Sequence, residues 1–157
     1  MTEETRLIAD GWAHQLAADI AQAEHTVTLS ALSLQPPRRV TDSGISALWE
    51  SLVMASARRR RVRLILPASA KTHPATAGNN AAAGWANKYG MHTYLIALPR
   101  LLHAKTAMID ERISWVGSGN LTAAAANHNH EAWIRATGPE TALALMIFHD
   151  NLTNHRA

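Results

Sequence analysis

The sequence predicts an α/β layered domain. Three observations carry this expectation: strand-like and helix-like stretches alternate along most of the chain, the apolar content is high, and 157 residues suit one core. Residues 7–24 place apolar side chains at Leu7, Ile8, Trp12, Leu16, Ala17 and Ile20, a helical stripe. TVTLSALSL, residues 26–34, opens with β-branched residues and alternates like a strand. QPPRRVTDSG is expected to be a loop, because Pro36 and Pro37 interrupt regular structure. Ser43 is placed to cap a helix over 45–59, and Arg58, Arg59, Arg60 and Arg61 fall at its C-terminal end, where cations oppose the dipole. RVRLILPAS, 61–69, reads as a strand, 70–80 as a polar loop, 80–89 as a helix ending at Gly90, and MHTYLIAL as a further strand. Two strands follow, 101–109 and 112–117, joined near Asp110 and Glu111. A short helix over 121–127, a strand at EAWIRAT and an amphipathic helix over 139–154 complete the chain.

Composition narrows the function. Hydrophobic residues make up 47% of the chain, much of it alanine, and the net charge is +3. That balance is milder than a strongly charged nucleic-acid binder shows. Twelve of the 15 basic residues are Arg, whose planar fork suits phosphate. There is no Cys, which excludes disulfides and thiolate metal sites. MTEETRLIAD lacks the apolar core of a signal peptide, and no apolar run is long enough to span a bilayer. The expectation is a cytoplasmic protein of one domain, 1–157, without integral membrane association.

Chemistry concentrates in LLHAKTAMIDERISWVGSGN, residues 101–120. His103 and Lys105 are two apart on an expected strand and so share a face. Asp110, seven residues on, would face the other way, which favours a structural role. The turn from Gly117 to Asn120 would bring Ser118 and Asn120 beside the His–Lys face. An imidazole, an ammonium, a hydroxyl and an amide together suit a phosphate.

The pattern H-x-K-x(4)-D-x(6)-G-S-x-N fits His103, Lys105, Asp110, Gly117, Ser118 and Asn120 without a gap, and Asn129 and Glu131 follow as Asn-x-Glu. In these residues the chain resembles the phospholipase D superfamily. The strict motif spans 103–120 and the looser likeness reaches 131. The resemblance implies a mixed β-sheet flanked by helices on both faces. It also implies a two-step phosphodiester reaction: one His attacks phosphorus to form a phosphohistidine, and a second protonates the leaving oxygen and then activates water. Lys105 and Asn120 would neutralise phosphoryl oxygens and Glu131 would orient the His ring. No metal or other cofactor is needed in that scheme. A single motif supplies one His, so a homodimer about a two-fold axis is expected to complete the site, the alternative being a second, different chain.

Several other features are weaker signals. NHNHE, 127–131, tempts a metal reading through His128, His130 and Glu131, but lacks a spaced third ligand. The run Arg58–Arg61 is a candidate contact for a nucleic-acid backbone or a solvated helix end. The loop around Lys71, His73, Asn79 and Asn80 is a candidate border of the cleft. The five Trp residues read mostly as core or dimer interface. The leading expectation is a nuclease acting on DNA or RNA. The alternatives are a phospholipase or phosphatidyltransferase using the apolar residues of the last helix, and a silent nucleic-acid-binding module.

Overall fold

The computed structural model describes residues 4–36, 43–97 and 99–154. Seven strands form one mixed sheet in the order β1-β7-β6-β5-β2-β3-β4. The strands are β1 (Glu4–Ile8), β2 (Thr26–Ser30), β3 (Arg61–Pro67), β4 (His92–Ile96), β5 (Lys105–Ile109), β6 (Ile113–Gly117) and β7 (Trp133–Thr137). The helices are α1 (Trp12–Ala21), α2 (Ser43–Ala57), α3 (Asn79–Lys88), α4 (Ala123–Asn127) and α5 (Pro139–Asn154), with a 3-10 turn at Pro74–Thr76.

The sheet has two halves. β2, β3 and β4 run parallel, joined through α2 and α3. Parallel neighbours require such crossovers, and their common handedness sends both helices to one face. β5, β6 and β7 form an antiparallel meander, with β1 added antiparallel at its edge. The halves meet where β5 pairs antiparallel with β2. In the hairpin between β5 and β6, Asp110 and Glu111 both have positive φ, 52° and 53°, and the Arg112 N–H donates to the Ile109 carbonyl at 3.0 Å. Ile109 pairs with Ile113, so the loop is three residues long, and its first two residues form a turn of the primed kind, whose twist matches the strands it joins.

Alternation along the strands divides the side chains between two layers. On one face Asp19 of α1 accepts from Trp115 Nε1 at 2.8 Å and pairs with Arg135 at 2.7 and 3.0 Å, tying α1 to β6 and β7. The main core lies on this side, around Trp12, Leu16, Ile45, Leu48, Leu52 and Trp133. The opposite face is covered by α5. Ala142, Leu145 and His149 face inward at helical spacing, and the fully buried His149 reaches the sheet. Its Nε2 lies 2.7 Å from Thr106 Oγ1, which lies 2.8 Å from Ser30 Oγ, whose hydroxyl donates to the Ala104 carbonyl at 3.4 Å. Arg63 on β3 donates to Thr28 Oγ1 at 3.0 Å and approaches Asp150 of α5 at 3.9 Å.

Three expectations are corrected. Leu7 and Ile8 do not begin the first helix. They belong to β1, with Leu7 opposite Ile134 and Ile8 opposite Trp133, and Gly11 at φ 64° separates the strand from α1. The apolar pair mimics one turn of helical stripe, and only the pairing partners far along the chain, Ile134 and Trp133, distinguish the two. The strand expected over 101–109 begins at Lys105, and His103 lies in the irregular segment before it. The strand expected over 26–34 stops at Ser30. Beyond it Leu34 makes a lone bridge to Leu121, and the Leu34 N–H is taken by the Asn79 side chain. The cap expected of the Ser43 side chain and residues 37–42 of the expected loop lie outside the described residues. Among the described residues, no helix is long and apolar enough to cross a membrane.

The buried His149 makes stability depend on pH. Burial, with the Arg63 cation adding to it, pushes its pKa down from 6.5 to about 4. The unfolded chain therefore binds a proton between these values that the folded chain refuses. Stability from this group is complete above about pH 6.5 and falls by ~3 kcal/mol as pH drops toward 4. Urea unfolding at pH 7 and near pH 4.5 should show the loss, and His149→Asn should flatten it. An unchanged slope in that variant would place the acid sensitivity elsewhere.

Candidate active site

The site forms at the ends of β5, β6 and β7 nearest the junction with β2. Ligand sites in sheets of this kind favour such a crevice, where strand order reverses and the flanking loops part. His103, though outside the strand, is exposed, and its Nδ1 lies 2.9 Å from Lys105 Nζ. Lys105 is 5% exposed. Burial pushes its pKa below the ordinary lysine value, and the carboxylate of Glu131 opposes that shift. A cation at this depth is held in readiness for an anion that would satisfy it better than solvent can.

The turn after β6 brings in the remaining groups. Ser118 pairs with the first residue of the β7 approach through both backbone and side chain: its N–H donates to the Ala132 carbonyl, and its Oγ accepts from the Ala132 N–H, each at 3.1 Å. The Ser118 hydroxyl donates in a short hydrogen bond to Glu131 Oε2, and Asn129 Nδ2 donates to Glu131 Oε1 at 3.2 Å. Asn120 Oδ1 accepts from the Ser33 N–H at 3.3 Å, which commits its oxygen and reserves its N–H donors. The Leu121 N–H donates to the Ser33 carbonyl, and the Gln35 N–H to the Leu121 carbonyl, at 3.1 and 3.0 Å. Thr122 then caps α4 by accepting from the Ala125 N–H at 3.3 Å.

Glycine is required in this turn. A Cβ on Gly117 would lie 2.7 Å from the Ala132 carbonyl and inside the Trp133 ring, and one on Gly119 would lie 2.9 Å from Trp133 Nε1 and 3.1 Å from Trp12. The indoles of Trp12 and Trp133 stack with centroids 4.9 Å apart. The motif backbone therefore rests directly on a buried aromatic pair.

The structure brings His103, Lys105, Ser118, Asn120, Asn129 and Glu131 to one end of the sheet. Asp110 lies at the far end of β5. Its carboxylate accepts from the N–H groups of Glu24, His25 and Thr26 at 2.7, 2.8 and 2.8 Å, fastening the hairpin to the start of β2. Burial pushes its pKa up, but these three donors together pull it below the ordinary carboxylate value. The run Arg58–Arg61 also lies at that far end, since Arg61 pairs with Thr26. Arg58 donates to the carbonyl of Ala21, the last residue of α1, at 2.9 Å, and Arg60 to that of Ala23, just beyond the helix, at 3.2 Å. His128 and His130 are exposed, and no group of three or more His, Asp or Glu is placed to hold a metal ion among the described residues. Of the loop noted as a possible border, Asn79 is fully buried and ties backbone segments together. Sequence reasoning passed over His149 and the Ser30–Thr106 pair behind the motif. The inward spacing of 142, 145 and 149 was the available signal for the histidine.

Residues 16–149 match the family model described as cardiolipin synthase, PLD-like domain. Among curated proteins, none matches the sequence. The fold is similar to that of NucT from Helicobacter pylori, with a TM-score of 0.75 and 18% identity over 98% of this chain and 97% of that one. It is also similar to Nuc from Salmonella typhimurium, described as a phospholipase D family member, with a TM-score of 0.78 and 18% identity over 98% and 95%. Phosphatidylserine synthase from Haemophilus influenzae matches with a TM-score of 0.72 and 11% identity over 98% of this chain and 38% of that one.

The turn's tolerance for side chains is testable. Gly117→Ala should cost about 1–3 kcal/mol or more through overpacking against Trp133. Gly84→Ala, inside α3 with nothing within 4 Å of the added Cβ, should stabilise by about 1 kcal/mol. Urea midpoints for both decide it, and equal effects would refute the close contact.

Proposed function

This chain belongs to the phospholipase D superfamily, and from that premise we propose that it is a metal-independent endonuclease hydrolysing DNA or RNA through a phosphohistidine. Two identical chains share the active site. The single observation that carries the reading is the contact of His103 Nδ1 with the buried Lys105 ammonium, beside the carboxylate network of Glu131.

In the free chain Lys105 donates to Nδ1, so the ring's own proton sits on Nε2. A bound phosphodiester offers Lys105 a better acceptor. The ammonium turns to the phosphoryl oxygens, joined by the N–H donors of Asn120. The ring then carries its proton on Nδ1, directed to the carboxylate of Glu131, and presents the Nε2 lone pair to phosphorus. The P–N bond forms as the bond to the leaving nucleoside oxygen breaks, and His103 of the partner subunit, which enters this step as the imidazolium, gives that oxygen a proton and is left neutral. The same imidazole next takes a proton from water. The hydroxide attacks phosphorus, the P–N bond breaks, and both rings return to their starting states.

Pairing also has a surface available. Leu7, Ile134 and Val116 form one register row across β1, β7 and β6 and are 70%, 41% and 43% exposed. Val116 immediately precedes the Gly117 turn, so a second copy seated on this row would lie next to the site. The second reading, a phospholipase D-type lipid phosphodiesterase, draws on Leu143 and Ile147, both 52% exposed on α5.

Labelled single- and double-stranded DNA and RNA, offered in excess EDTA, test the proposal. Wild type should cut, and His103→Ala should be slower by about a thousandfold or more. Failure to cut any nucleic acid, with release of lipid headgroups instead, would favour the second reading. Light scattering should find a dimer, and Ile134→Glu should give an inactive monomer. A fully active monomer would refute the shared site.

A further inference from the structure

We propose that a cavity beside Asn120 seats one unpaired nucleobase of the strand being cleaved, so that the enzyme selects single strands. This rests on the nuclease reading above. The cavity measures about 620 Å³, within the range of small-molecule sites, and lies between the segment after β2 and the first turns of α3. Pro36, Pro74, Ala81 and Trp85 give it apolar walls, and Ser33 and Asn120 stand on its polar side.

Its chemistry selects the occupant. Among the described residues the lining is apolar or neutral and polar, while the buried cation Lys105 stands at the motif. A base has apolar faces and a hydrogen-bonding edge, which matches apolar walls with amide and hydroxyl groups on one side. An acyl chain would bury those polar groups without partners.

The cavity is also built rather than incidental. The fully buried Asn79 accepts from the Leu34 N–H at 3.1 Å and donates to the carbonyls of Leu32 and Pro67, both at 2.9 Å. Trp49 Nε1 donates to the Gln35 carbonyl at 2.9 Å, and Trp85 packs edge-on against Trp49 at 4.6 Å. These ties hold the walls before any ligand arrives, which lowers the entropy lost on binding. Asn120 belongs to both the motif and the cavity wall, so the occupant is joined to the phosphate under attack. A paired base must first leave its stack to enter.

The test compares a single-stranded oligonucleotide, its duplex, and the same backbone carrying tetrahydrofuran in place of nucleosides. Wild type should favour the base-bearing single strand over the abasic one by about tenfold or more in kcat/KM, the discrimination that one stacked base supplies. Ala81→Trp, which fills the cavity, should reduce that ratio to below about threefold. Equal rates on both backbones, or a ratio unmoved by the filling variant, would overturn the proposal. Binding is read separately through tryptophan fluorescence of His103→Asn with short oligothymidylate, using Trp85→Phe in the same background as the control. A Trp85-dependent change supports the cavity even where no cleavage occurs, and then only the nuclease reading falls. No such change, or a change with phosphatidylglycerol vesicles alone, overturns the base-binding site.

Discussion

The contact between a side-chain-free turn and a buried pair of indoles sets the position of nearly everything functional here. Gly117 and Gly119 press against Trp133 and Trp12, leaving no room for a Cβ at either place. The end of β6 is thereby clamped to the beginning of β7, and the two segments exchange the Ser118–Ala132 hydrogen bonds. That clamp brings the Ser118 hydroxyl and the Glu131 carboxylate into one network although 13 residues separate them. Trp12 contributes from α1, so the packing of the first helix reaches the motif turn through an aromatic stack rather than a polar relay.

A second constraint is the seam between β2 and β5. The parallel half needs helices to return its strands, while the antiparallel half turns through short loops. The segments leaving β2 and entering β5 therefore diverge at one end of the seam, and His103, Ser33 and Asn120 occupy that opening. Behind it, the series Ala104–Ser30–Thr106–His149 crosses the sheet to α5. The carbonyl between His103 and Lys105 is thus anchored from the face opposite the main core. A buried polar series of this sort stiffens a site only while its members stay neutral, which the depressed pKa of His149 ensures near neutrality.

Charge and polarity are divided along the molecule. Asp110 and the arginines of the 58–61 run belong to the end of the sheet remote from His103, where they satisfy backbone groups. At the motif, positive charge among the described residues is carried by one lysine, whose pKa burial lowers against the opposing influence of the Glu131 carboxylate. The adjoining cavity carries no charge at all among its described residues. The motif and the cavity are thus neighbouring but chemically distinct surfaces.

The sequence by itself determined the family motif and most of the elements. The spacing of His103, Lys105, Asp110, Gly117, Ser118 and Asn120 is a local property, written in consecutive residues, and so were the strong periodicities of α5 and β3. It also pointed to a structural part for Asp110, through the odd separation from His103. Tertiary structure decided what depends on distant partners. Leu7 and Ile8 are strand rather than helix because β7 waits beside them, and TVTLSALSL leaves the sheet after Ser30, where the N–H groups of Ser33 and Leu34 go to the side chains of Asn120 and Asn79. The same holds for His149, ordinary in sequence and buried only because α5 lies across Thr106, and for Trp85, whose place in a cavity wall requires the β2 loop and α3 to meet. Periodicity reports which way a side chain faces, but not what it meets there, and pairing and cavities are made of such meetings.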